Sequence, residues 1–104
     1  MRTVRILADA AEEAIEAGAW YERQRSGLGA DFFEAFEAAV DLVEAQHIPL
    51  SPYPDKAGAA GAKRVILKRF PYDIVIVEYL AELVVIAVAH HSRRPGYWRE
   101  RLSP

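Results

Sequence analysis

The chain has 104 residues, 52% of them apolar, a formal net charge of −2 and no cysteine. That length and apolar content describe one folded domain spanning residues 1–104 with a core of its own, not a disordered chain. The missing cysteines exclude disulfides, zinc–thiolate centres and thiol catalysis. The charge is polarised: residues 9–46 carry ten acidic and two basic side chains, a net of −8, whereas residues 55–104 carry nine basic and five acidic ones, a net of +4. A protein that coats nucleic acid at large would be basic throughout, so any such contact here is expected at a local patch.

Met1-Arg2-Thr3-Val4-Arg5 contains no signal-peptide core, and no later apolar run reaches membrane-spanning length. A cytoplasmic protein without membrane contact is expected. Val4 and Ile6 alternate with Arg5, which predicts a short edge strand over Thr3–Leu7. Asp9 followed by Glu12 predicts an N-cap with a capping box. Ala11, Ala14, Ile15, Gly18 and Ala19, continuing into Trp20 and Tyr21, give a first helix its apolar spacing. Ser26-Gly27-Leu28-Gly29 ends that helix near Arg25, with glycine at the C-cap. A second helix is predicted from about Ala30 to Gln46, with Phe32, Ala35, Phe36, Ala39, Val40 and Val43 as its inner stripe. The two form a helical hairpin. Residues 47–62, with Pro49, Pro52, Pro54, Gly58 and Gly61, read as a loop. Strands follow over about Lys63–Phe70, Tyr72–Tyr79 and Leu83–His90, as an antiparallel meander. The order β-α-α-β-β-β predicts an α+β fold, a helical hairpin packed on one face of an antiparallel sheet with the other face left open.

The last strand runs into His90-His91-Ser92-Arg93-Arg94-Pro95-Gly96-Tyr97-Trp98-Arg99. Arginine forks bind phosphate, histidine exchanges protons near neutral pH, and Tyr or Trp can stack on bases. This segment therefore reads either as an active surface or as a solvated tail whose Trp98 folds back on the core. Strand alternation places Arg64 with Ile66 and Lys68, where they either meet a partner or only solubilise the surface. His90 and His91 are neighbours on a strand and should point oppositely. Asp73 and Glu78 suit ion pairs across the hairpin. Trp20 and Tyr21 read as helix–sheet packing. No ligand spacing suggests a metal, and no motif calls for a cofactor.

Ala19-Trp20-Tyr21-Glu22, Gly27-Leu28-Gly29 running into Asp31-Phe32, Arg69-Phe70-Pro71-Tyr72, and Val88-Ala89-His90-His91-Ser92-Arg93-Arg94-Pro95-Gly96-Tyr97-Trp98 resemble the RelE/ParE toxin superfamily over almost the whole chain. The resemblance implies the toxin half of a type II toxin–antitoxin module, wrapped by a cognate antitoxin in a hetero-oligomer. The target is then either the ribosome with its messenger RNA or DNA gyrase. Ribonuclease members cut RNA without a metal, using cations on the phosphate and a general acid and base. On that pattern Arg64, His90, His91, Arg93 and Tyr97 are the catalytic candidates, and Lys68, Arg94, Trp98 and Arg99 the nucleic-acid- or target-binding ones. The pattern is incomplete: Ile66 takes a basic position, and Asp73 stands where an arginine would open the next strand. An incomplete set is what the gyrase-binding branch would carry, and the sequence leans that way. A third reading keeps the same fold as a non-toxic interaction module. The acidic helical face is either plainly solvated or meets basic residues of the antitoxin, which adds a strand to a sheet edge.

Overall fold

The computed structural model describes residues 3–45, 50–53, 61–79 and 81–102. Strand β1 (Thr3–Ile6) leads into helices α1 (Ala8–Gln24) and α2 (Leu28–Glu44), followed by β2 (Ser51–Pro52), β3 (Ala62–Ile66), β4 (Tyr72–Glu78), β5 (Glu82–His90) and a 3-10 turn (Arg99–Leu102). Most of the proline- and glycine-rich stretch expected as a loop lies outside the described residues, as do His47 and Leu80.

The strands form one five-stranded sheet in the order β1-β5-β4-β3-β2. The predicted meander is there, since β3, β4 and β5 pair antiparallel in sequence. The sheet as a whole is mixed, not antiparallel. β1 lies at the edge as expected, but parallel to β5, with Ile6 opposite Val85 as its last pair. The helical hairpin between them carries the chain back to the end of the sheet from which β1 started, and a strand that returns this way pairs in parallel. β2 adds two residues antiparallel to β3.

Helix α1 begins one residue before the expected cap. Leu7 donates its N–H to the Val85 carbonyl (3.0 Å) and accepts from the Ala11 N–H (2.9 Å), so it belongs to strand and helix at once. Asp9 is therefore not the N-cap, and Leu7 makes no side-chain cap. The carboxylate of Asp9 sits in the first turn, where it still favours the helix dipole. The other end also differs from expectation. The C-cap is Arg25, and Gly27, at φ 92°, is instead the N-cap of α2. Glu22 supplies the missing cap from the preceding helix: its carboxylate accepts the N–H groups of Gly27 and Gly29 at 3.0 Å each. Those bonds hold its pKa below the ordinary carboxylate value.

The inner face of α1 is rotated by about a residue from the predicted stripe. Ala10, Ala14, Ala17 and Gly18 are buried, while Ile15 is 60% and Trp20 50% exposed. Small residues let α1 lie close to both sheet and α2. A methyl group on Gly18 would stand 2.4 Å from the Phe33 ring. On this side Phe32, Phe36 and Val43 of α2 pack with Leu67, Ile74, Ile76, Leu83, Val85 and Val88, and Tyr21 joins Phe32, Phe70 and Tyr72 in one aromatic cluster.

The opposite face is not open. Trp98 has no exposed surface and packs edge-on against Tyr53, at 4.9 Å between ring centroids. The two cover Val75, Val84, Ile86, Ala87 and Ala89 as a second core. Trp98 is thus a core residue here and not part of a target-contacting surface. Burying an indole removes a large apolar area from water, which outweighs leaving it as a loose contact group. Tail and sheet are joined where β5 bulges: Val75 pairs with Ala87 but Ile76 with Val85, leaving Ile86 as the extra residue. The bulge falls just beyond the last β1 pair.

Candidate functional site

β5 delivers His90 and His91 to the end of the sheet, and alternation sends them to opposite sides, as expected. His90 shares the helix side with Tyr72, whose ring it meets edge-on at 4.9 Å. Its Nδ1 accepts the Ser92 N–H at 2.9 Å and lies 2.7 Å from Ser92 Oγ. His91 turns to the Trp98 side, where its Nε2 is 2.9 Å from Oδ1 of Asp73. The other oxygen of Asp73 accepts from Arg64 Nη1 at 3.3 Å.

Asp73 is the centre of this arrangement and is only 5% exposed. A buried carboxylate is stable only when paired and hydrogen-bonded, and Arg64 and His91 together meet that need. Arg64 also lies over the Tyr53 ring, at 5.4 Å from its centroid. The cavity above them, about 270 Å³, is lined by Arg64, Asp73, His91, Arg93, Arg94 and Tyr97, with His90 at its margin. Six of the nine expected site residues therefore converge: Arg64, His90, His91, Arg93, Arg94 and Tyr97. Lys68 is exposed on the β3–β4 turn, and the Arg99 Nε donates to the Gly96 carbonyl at 3.3 Å; neither lines the cavity. Trp98 lies beneath it in the core.

Tyr97 is held away from proton chemistry. Its hydroxyl donates to Glu13 Oε2, and burial, reinforced by that bond, pushes its pKa well above the usual phenol value. Arg93 caps the ring at 3.9 Å, and Arg101 approaches it at 5.4 Å. Glu13 gathers more than Tyr97. It accepts the Val88 N–H at 3.0 Å and pairs with both Nη atoms of Arg101, at 2.9 and 3.3 Å, while Arg101 Nη1 also donates to the Ile86 carbonyl at 2.9 Å. Burial works to lower the Arg101 pKa, but the bonds and charge of Glu13 outweigh it and raise the pKa. Glu13, Tyr53 and Arg101 were not among the expected site residues. No local spacing points to Glu13, whose partners are 75 to 88 residues away and which sits in a helix full of solvated carboxylates.

His91 is oriented by a buried carboxylate through Nε2, which leaves its other ring nitrogen for a ligand. Among the described residues no group of three His, Cys, Asp or Glu side chains converges to hold a metal ion, and no helix is long and apolar enough to cross a membrane.

No protein-family model and no curated protein matches this chain. Among solved structures, a chain of the chromosomal ParDE TA system from P. aeruginosa is similar, with a TM-score of 0.64 over 86% of this chain and 96% of that one, at 15% sequence identity. The likeness is one of fold, an α+β arrangement of two helices packed on a sheet.

Proposed function

We propose that this chain is the toxin of a type II toxin–antitoxin module and that it acts by binding its target, as a ParE-like inhibitor of DNA gyrase in the cytoplasm. The fold likeness to a chain of a ParDE system supports the toxin assignment. The observation that carries the mode of action is Asp73. Cleaving RNA without a metal needs cations free to stabilise charge developing on the phosphate. Here a buried carboxylate sits between Arg64 and His91, neutralises the first, and repels an incoming phosphodiester. Tyr97, the other group such chemistry would use, is engaged by Glu13. A cavity arranged in this way suits protein recognition better than strand scission. A cognate antitoxin in a hetero-oligomer completes the proposal. Binding only the folded toxin, it raises toxin stability by mass action.

The test is induction of the chain alone, with incorporation of labelled thymidine and labelled amino acid followed in parallel. DNA synthesis stopping first, with filamentation, and loss of supercoiling by purified gyrase are the expected results. Protein synthesis stopping first, with messenger RNA cut at codon positions, replaces this proposal by the ribonuclease reading. That reading has one observation in its favour, the Asp73-oriented His91, and His91→Ala would then abolish cutting. Normal growth on induction leaves the interaction-module reading.

A further inference from the structure

β5 loses its neighbour halfway along. β1 pairs only as far as Val85, so from Ile86 onward the outer edge of β5 presents its backbone to side chains. The first stretch is filled from within the chain: the Arg101 guanidinium lies on the Glu13 carboxylate, bonds the Ile86 carbonyl and approaches the Tyr97 ring. The molecule here demonstrates a seat for a guanidinium made of a helix carboxylate, an aromatic ring and an outward strand carbonyl.

One step along, the same three parts recur without an occupant. Glu16 follows Glu13 by about 4.5 Å of helix rise, and Val88 follows Ile86 by about 6.7 Å of strand. The Val88 N–H points outward to Glu13, so its carbonyl points outward as well. The aromatic is Trp20, four residues after Glu16 and therefore on the same side of the helix. Trp20 is half exposed in a helix whose other large aromatic, Tyr21, is packed against the sheet. Glu16, Trp20, Val88 and His90 line a cleft of about 610 Å³ between α1 and the β5 edge. Glu16 is exposed and has no partner among the described residues. Arg23 and Arg93 also line the cleft, and with Glu13 already paired to Arg101, Glu16 is the one carboxylate among the described residues of its lining left to receive an added cation.

We propose that this cleft is a docking site for one arginine side chain of a partner protein, its guanidinium bonded by Glu16 and the Val88 carbonyl and stacked on Trp20. Arginine suits the seat better than lysine, because a planar fork bonds two acceptors while stacking on an indole. The inference does not depend on the toxin assignment, although an antitoxin is one protein that would carry such a residue.

The test uses the full chain, ¹⁵N-labelled, titrated with acetyl-Ala-Arg-Ala-amide. The two indole N–H signals are told apart by the variant Trp20→Phe. The Trp20 indole and the backbone amides near Glu16 and Val88 should shift, while the buried Trp98 indole stays still. Glu16→Gln, at an exposed position that leaves the fold intact, should weaken the affinity about tenfold, the loss expected for a charge-assisted hydrogen bond. An unmoved Trp20 signal, or equal shifts with the glutamine peptide, overturns the proposal. So does unchanged affinity in Glu16→Gln, and equal affinity for the lysine peptide overturns the assignment to arginine.

Discussion

On one side of the sheet Phe32, Phe36 and Ala14 meet Ile74, Ile76 and Val85; on the other Trp98 and Tyr53 meet Val75, Ala87 and Ala89. The first side is closed by two helices that continue the chain's local periodicity and are clamped to each other through Gly18 and Gly29. The second is closed by a short tail whose single indole, braced by Tyr53, does most of the covering and whose Tyr97 and Arg101 are tied down by Glu13. A helical face distributes its burial over many small contributions. A tail concentrates the same task in one residue and one carboxylate, so the second face should be the one that single substitutions can open.

Trp98→Ala should have the largest effect, about 3–5 kcal/mol by denaturant unfolding, the usual range for removing a buried indole. Phe32→Ala should cost a similar amount, but hydrogen exchange should separate the two. Loss of Trp98 should deprotect amides of 97–102 while those of α1 and α2 stay slow; equal deprotection of the helices would mean that both faces open as one unit. Glu13→Ala should follow, at about 2–3 kcal/mol, because it strands a largely buried guanidinium and the Val88 N–H. Glu16→Ala, one turn away and exposed, should stay within about 0.5 kcal/mol. On the helical side Gly18→Ala should cost about 1–3 kcal/mol by overpacking against Phe33, and Phe33→Leu should recover part of it.

The smallest effects are pH-dependent and act at opposite ends of the scale. The Glu22 pKa is lower in the folded chain than its ordinary 4.5, so the unfolded chain binds more protons there. Its contribution is complete above that value and is lost as pH falls through the lowered folded pKa. Glu22→Gln should flatten this acid limb. The Tyr97 pKa is raised above its ordinary 10.0, so its contribution is complete below that value and lost as pH rises toward the folded pKa. Tyr97→Phe should flatten the alkaline limb and leave the acid one alone.

Periodicity carried much of this fold. The spacing of Phe32, Phe36 and Val43 placed α2, and the apolar alternation around Pro71 placed β3 and β4. His90 and His91 were legible as opposite-facing because a strand has a period of two. What stayed hidden depends on partners far away in sequence. A strand's pattern does not say which strand it joins, so the parallel β1–β5 pairing was not readable. β2 has two residues and no period at all. Glu22 caps α2 from the preceding helix, outside the rule that looks for a cap at the N-cap position. In the candidate site, the pairing of Asp73 across the hairpin was foreseeable, whereas the reach of Glu13 to Arg101 was not. Trp98 was readable both as tail and as core, and only tertiary packing decides between those.

The parallel pairing of β1 with β5 also sets a timetable. β1 leaves the ribosome early, yet its partner follows about eighty residues later, and the edge beyond it is sealed only when Glu13 meets Arg101. At a synthesis rate of about 5–20 residues per second, the nascent chain spends several seconds with its helical hairpin made and its sheet unfinished. The cationic cavity cannot assemble during that interval, because Arg64 and Asp73 precede His91, Arg93 and Arg94. Any activity that needs this cavity begins only once the chain's own translation has brought the tail into reach.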